Sequence, residues 1–247
     1  MAVPVQKSTV VLVTGANQGI GFEISKKLGL EHKDYHVIVS GRRKDAVEEA
    51  ADKLAKLGCS VEPLVLDVTS DESIAQAVKT VEGRHGRLDV LVNNAGISGA
   101  REKSTRELFN RILDTNVSSV AMVTDAFIPL LGRSTTGAKH IVFITSGLGS
   151  LTMKKDPSHI WHKLPSAYYS TSKAALNMLA LHYAVQWEVD PSWKINLYTP
   201  PHCATNLNYF SGPEPVENGA IGACRLATLG PDGETGTFTD NDGPVPW

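Results

Sequence analysis

The sequence predicts an α/β fold: one doubly wound parallel sheet of about seven strands with helices on both faces. Three observations lead there. Short β-branched apolar runs recur along the chain, segments with helical spacing separate them, and each run is apolar at successive positions, as a strand buried on both faces requires. Alternating strands and helices call for a parallel sheet, because each parallel connection must cross back over one face.

The elements follow in order. TVVLVTG (9–15) is the first strand, and the turn after it opens a helix continuing FEISKKLGL. HVIVS (36–40) is the second strand. DAVEEAADKLAKLG is the helix behind it, with Val47, Ala51, Leu54 and Leu57 along one apolar stripe. PLVLD (63–67) reads as a third buried strand. A capping box over Thr69 to Glu72 then starts a helix whose core face carries Ile74, Ala77, Val78 and Val81. DVLVNN (89–94), HIVFITS (140–146) and KINLYT (194–199) are further strands, with a short last one at TGTFT. Residues 200–220, rich in Pro, Asn and Gly, read as irregular.

Length and composition narrow the function. A chain of 247 residues fits one domain over 1–247, with substrate-pocket segments at about 147–168 and 200–220. With 24 basic against 26 acidic residues and no block of like charge, neither nucleic acid nor an acidic membrane surface is indicated. Small molecules are the expected partners. Cys59, Cys203 and Cys224 are odd in number and widely spaced, and no CxxC or HExxH pattern accompanies them. That argues against a disulfide framework and against a metal site. No apolar run approaches the ~20 residues that span a bilayer, so the expectation is a soluble, cytoplasmic protein.

TGANQGIG (14–21) sits between the first strand and its helix, which makes it more than a stray glycine cluster. Glycines let a backbone turn tightly and approach a pyrophosphate, whose charge meets free N–H groups and the positive helix end. The spacing Gly15, Gly19, Gly21 departs from GxGxxG, and a ligand-free strand-to-helix turn is the competing reading. After the second strand, Arg42 and Arg43 stand where an NAD site usually carries an acid for the ribose hydroxyl. Guanidinium groups suit a 2′-phosphate, which favours NADP(H) over NAD(H); solvated surface arginines are the alternative. Asp67 could accept a bond from an adenine amine, or only support the turn that follows it.

In AYYSTSKAALNML (167–179) two tyrosines precede a lysine. With about 3.6 residues per helical turn, positions four apart share a face. Tyr169 therefore lies beside Lys173 and Tyr168 does not. A neighbouring cation favours phenolate, so the phenol is expected to fall below its free value of roughly 10. Such pairs also arise by chance on amphipathic helices.

Three more pieces stand in order: NNAG at 93–96, Asn116 in DTNV within a helical stretch, and Ser146 ending a strand in ITSGLG. With TGANQGIG, Tyr169 and Lys173, they resemble the short-chain dehydrogenase/reductase family over nearly the whole chain. TGANQGIGFEI and the closing PVPW are most similar to its carbonyl-reductase-like branch. The resemblance implies a Rossmann fold and an NADPH-dependent oxidoreductase that reduces a ketone or aldehyde, or oxidises the alcohol. It implies that Ser146 bonds the substrate oxygen, Tyr169 exchanges its proton, and Lys173 lowers the tyrosine pKa and holds the nicotinamide ribose. Asn116 would hold a water linking Lys173 to a proton relay. Gly15, Gly19, Ile20 and Gly21, with the intervening Asn17 and Gln18, would surround the cofactor phosphates. Asp67 and Val68 would meet the adenine, Asn94 would contact the cofactor, and Thr205 would lie on its nicotinamide side.

Several features depart from the family pattern. Gln18 stands where many relatives carry Lys or Arg, so the NADP preference rests on Arg42 and Arg43. In TPPHCATN, Pro201 replaces the usual Gly, and a proline cannot copy a glycine of positive φ. The segment between Ser146 and Tyr169 is long; its His159, Trp161 and His162 either line the substrate pocket or cover a surface. Monomer and homo-oligomer both stay open. The competing function is a cofactor-binding protein of this fold with a non-redox role, as isomerase, cyclase, sensor or scaffold.

Overall fold

Seven parallel strands form the centre of the protein in the order β3-β2-β1-β4-β5-β6-β7, in a computed structural model that describes residues 8–99 and 101–247. The strands are β1 (Thr9–Val13), β2 (Tyr35–Gly41), β3 (Val61–Val65), β4 (Val90–Asn93), β5 (Lys139–Ile144), β6 (Trp193–Tyr198) and β7 (Phe238–Thr239). The helices are α1 (Gly19–Glu31), α2 (Lys44–Lys56), α3 (Asp71–His85), α4 (Arg106–Leu113), α5 (Ser119–Leu131), α6 (Leu151–Lys155), α7 (Ala167–Gln186) and α8 (Ile221–Ala227). Among the described residues no helix is long and apolar enough to cross a membrane.

Alternation along the strands divides the core in two, because successive side chains point to opposite faces. Val10 and Leu12 of β1 join the cluster that packs α3, α5 and α7 through Ile74, Val123 and Leu176. Val11 and Val13 join the one that packs α1, α2 and α8 through Ile24, Leu54 and Leu226. Both clusters draw apolar side chains from the strands, which is why the strand runs are apolar at successive positions. Strand order reverses between β1 and β4, leaving a crevice at their carboxyl ends, where open α/β sheets take ligands.

Three local expectations are corrected. Val65 is 44% exposed, so the third strand is an edge strand rather than a buried one. It also starts two residues before PLVLD and carries Pro63 where an edge tolerates it. Leu57 lies outside the apolar stripe, 53% exposed, because α2 ends at Lys56 and the chain turns at Gly58, φ 87°. Ala50 is buried in its place. The cap of α3 is Ser70, whose hydroxyl accepts from Ser73 N at 3.2 Å, one residue beyond the expected box. All three cysteines are free, as the spacing implied.

Candidate active site

Helix α1 begins at Gly19 with no side chain capping its first turn and no acid in it, so its positive end is left open. Gly15 (φ 62°) and Gly19 (φ 60°) take a left-handed backbone that L side chains rarely adopt. At Gly21 a Cβ would come within 2.4 Å of Asn94 Nδ2 and 2.7 Å of Gly15 O. The turn is thus closed against the NNAG segment and open outward. This arrangement fits a pyrophosphate.

Asn94 holds the two segments together. Its amide donates to Thr14 O at 2.9 Å and Gly15 O at 3.2 Å, while Thr14 Oγ1 accepts from the Asn94 and Ala95 backbones. The Asn94 side chain is therefore committed to positioning the glycine turn, a role its motif did not reveal. Asn17 lies against Gly41, and Gln18 Oε1 accepts from Asn206 at 2.6 Å, tying the turn to the segment after β6. Thr205 is buried beside Gly19, its backbone N–H bonded to Asn208 Oδ1. Ile20 packs against Gly219.

Arg42 and Arg43 lie just past the carboxyl end of β2, exposed, and neither guanidinium makes a hydrogen bond or ion pair among the described residues. Asp67 Oδ1 accepts from the backbone and hydroxyl of Thr69 at 3.0 and 2.8 Å, so it does support the turn. Val68 follows it, partly buried against the core.

Ser146 leaves the end of β5 and Tyr169 opens α7. Gly149 allows the two to approach, since a Cβ there would meet the Lys173 carbonyl carbon at 2.7 Å. The Ser146 side chain comes near enough to the Tyr169 phenol to pull its pKa down, and its hydroxyl accepts from Leu148 N at 3.2 Å. Lys173 Nζ lies 5.6 Å from the centre of the Tyr169 ring and donates to Ile144 O at 2.9 Å. Asn116 sits within a π-helical turn, Asp114–Ser118, between α4 and α5, a distortion common at functional sites. Its side chain accepts from Ile97 N and donates to Ile97 O, both at 2.8 Å, and to Ser172 Oγ at 3.0 Å. Ser172 in turn donates to Tyr169 O at 2.7 Å. It links Asn116 to the tyrosine, a role no spacing signal announced.

Charge at the site runs opposite to the expectation in one respect. Burial pushes the Tyr169 phenol up to about 12, against the hydrogen bond with Ser146, which pulls it down. Burial also pushes the Lys173 ammonium down to about 8. Desolvation is the leading influence on both groups and biases each toward its neutral form.

Tyr168 stacks on Phe109, ring centres 4.6 Å apart, away from the lysine. Beyond Ser146 a cavity of about 330 Å³ is lined by Gly147, Met153, Trp161, Thr199, Pro201 and His202. Of the three aromatic candidates in the insertion, only Trp161 lines this cavity. His159 accepts from Trp161 N at 3.2 Å, and His162 Nδ1 lies 3.0 Å from Lys154 O, so the two histidines hold the segment's own fold.

Comparison with known proteins shows the family and the fold. A family model described as short chain dehydrogenase matches residues 9–214. A short-chain dehydrogenase of Penicillium roqueforti, anuI, is 38% identical over 229 residues, spanning 90% of this chain and 89% of its own. Salutaridine reductase from Papaver somniferum superposes with a TM-score of 0.81 at 26% identity, over 93% of this chain and 99% of that one. The NADPH-bound carbonyl reductase from chicken fatty liver gives 0.82 at 25% identity, over 98% and 100%.

Proposed function

The chain belongs to the short-chain dehydrogenase family of oxidoreductases, and from that premise we propose that it is an NADPH-dependent reductase acting on a ketone or aldehyde. The observation that carries the reading is the convergence of Ser146, Tyr169 and Lys173, with the lysine 5.6 Å from the Tyr169 ring centre, at the sheet edge that also holds the open glycine turn.

Bound at that edge, the cofactor supplies hydride for the carbonyl carbon. The glycine turn and the open N-terminus of α1 would hold its pyrophosphate, and Arg42 and Arg43 its 2′-phosphate. Asp67, whose Oδ2 is left over from the turn bonds, and Val68 would lie beside its adenine. Thr205, beside Gly19, borders the nicotinamide end.

Carbonyl reduction needs an acid at the oxygen and donors placed in advance for the charge that develops there. Tyr169 supplies the proton from its O–H, and Ser146 supplies a second hydrogen bond. A phenol held up to about 12 is fully protonated at neutral pH, the form that reduction consumes. Lys173 stands under the ring to stabilise the phenolate that proton donation leaves. The π-helical turn at Asn116, joined to α7 through Ser172, holds that lysine's surroundings in place. The carbonyl substrate enters beside Ser146 from the cavity walled by Trp161 and Met153.

Incubating the purified chain with NADPH and a panel of ketones and aldehydes, and following NADPH absorbance, tests the proposal. Carbonyl-dependent oxidation is expected. NADPH binding without oxidation by any of them would instead favour a non-redox protein of this fold. The cofactor preference has its own test: an Arg42→Ala, Arg43→Ala double variant should raise KM for NADPH by about ten- to hundredfold, the worth of charged hydrogen bonds. KM for NADH should barely move. An equal rise for both cofactors would remove the 2′-phosphate role of the arginines.

A further inference from the structure

At the amino end of the sheet, opposite the candidate active site, three elements bring together two imidazoles and a carboxylate. His36 lies near the start of β2, Glu62 on the edge strand β3, and His85 is the last residue of α3. Glu62 pairs across from Ile38, so it shares a sheet face with Ile38 and with His36 two residues earlier. Helix α3 covers that face through Ile74, Ala77 and Val81 and returns from the carboxyl to the amino edge. Its last turn therefore ends over His36 and Glu62.

The inner atoms converge while the outer ones are held. His85 Nε2 is 2.7 Å from Glu62 Oε1, and His36 Nε2 is 3.9 Å from the same oxygen. One ligand atom of each residue lies within 4.8 Å of the other two. On the outside, His36 Nδ1 is 2.8 Å from Ser60 Oγ, and Arg84 donates to Glu62 Oε2 at 3.1 Å. If His36 Nδ1 donates to Ser60, its Nε2 presents a lone pair toward a carboxylate oxygen. Two acceptors then face one another, an arrangement that a cation between them resolves.

We propose that His36, Glu62 and His85 form a zinc-binding site, with the fourth position left to water. Zn²⁺ takes nitrogen and oxygen ligands tetrahedrally at about 2.0–2.1 Å, and reaching that geometry requires side-chain shifts of roughly 1 Å. Two imidazoles suit this borderline ion better than magnesium or calcium, which take oxygen. The negative pole at the carboxyl end of α3 adds a favourable field. The side chains are 18–21% exposed, open enough for an ion to reach. Arg84 already pairs with Glu62 and opposes a second cation, so the affinity is expected to be micromolar rather than that of a closed structural site.

The ion would clasp β2, β3 and α3, with a structural role. Along β2, His36 is five residues from Gly41, roughly 17 Å at about 3.3 Å per residue, too far to touch the cofactor end. The site is independent of the proposed reductase activity.

The test is a titration of the full, metal-stripped chain with ZnCl2, read by calorimetry and thermal unfolding. One saturable site is expected, with a rise in Tm of roughly 5 °C at a hundredfold excess over Kd. His36→Gln and His85→Gln should each lose at least about tenfold in affinity and most of that rise, with circular dichroism confirming the fold. Absence of one-to-one binding, or binding undiminished in the folded variants, overturns the site. Should the histidine variants fail to fold, Co²⁺ bound to the wild type decides. Strong visible absorption of a tetrahedral ion that Glu62→Gln weakens supports the site, and a spectrum like that of free Co²⁺ rejects it.

Discussion

Replacing Tyr169 by phenylalanine is expected to lower kcat/KM for carbonyl reduction by about 10²–10⁴-fold, the worth of a positioned general acid. Replacing Tyr168 in the same way should leave it nearly unchanged. The two residues are adjacent in sequence, yet only Tyr169 meets Ser146, while Tyr168 stacks on Phe109. Steady-state NADPH oxidation with one carbonyl substrate from the panel measures both. Full activity in Y169F, or equal losses in the two variants, would remove the phenol from the proton transfer. Because the Tyr169 side chain is partly buried and keeps its ring in the variant, folding should be little affected, so the loss belongs to chemistry.

Lys173→Met is expected to abolish turnover and at the same time to stabilise the fold at neutral pH by roughly 1–3 kcal/mol. Lys173 is 4% exposed, and its one hydrogen bond goes to Ile144 O. The fall from 10.5 to about 8 corresponds to roughly 3 kcal/mol of disfavoured charge. Leaving the Ile144 carbonyl without its partner returns about 1 kcal/mol. A methionine of similar length fills the space. The sign with pH follows from proton binding. Below pH 8 both states hold the proton and the native state bears the whole penalty. Between pH 8 and 10.5 the unfolded chain binds more protons, so wild-type stability rises with pH. The advantage of K173M should therefore be largest near pH 7 and shrink across that window in urea unfolding. A variant less stable than wild type at pH 7 would mean that burial is not what lowers the lysine pKa. If the trade holds, the site keeps a destabilising buried charge because catalysis uses it.

Much of the fold was legible because it rests on short-range patterns. Six of the strands announced themselves as β-branched runs, and the apolar helix stripes were read with errors only at their ends. Leu57 and the cap at Ser70 were misplaced because helix termini depend on where the chain turns. Val65 was misjudged because burial of a strand depends on its place in the sheet, and an edge strand can be as apolar in sequence as a central one.

In the candidate site, local spacing was equally informative. Gly15, Gly19 and Gly21 between a strand and a helix predict an anion-binding turn, and a four-residue step predicts that Tyr169, not Tyr168, meets Lys173. What the letters could not give was the competition between forces at one point in space. Asn94 spends its amide on the glycine turn, Ser172 links Asn116 to Tyr169, and burial outweighs the pull of Ser146 on the phenol. The same holds for His36, Glu62 and His85, far apart in sequence and without a motif. Periodicity and spacing are properties of neighbouring residues, and the sequence by itself determined what they govern: the α/β class, the phosphate turn and the choice of tyrosine. Desolvation and long-range contacts depend on everything packed around a group, so only the tertiary structure decided the protonation of the site and the meeting of the two histidines with the glutamate.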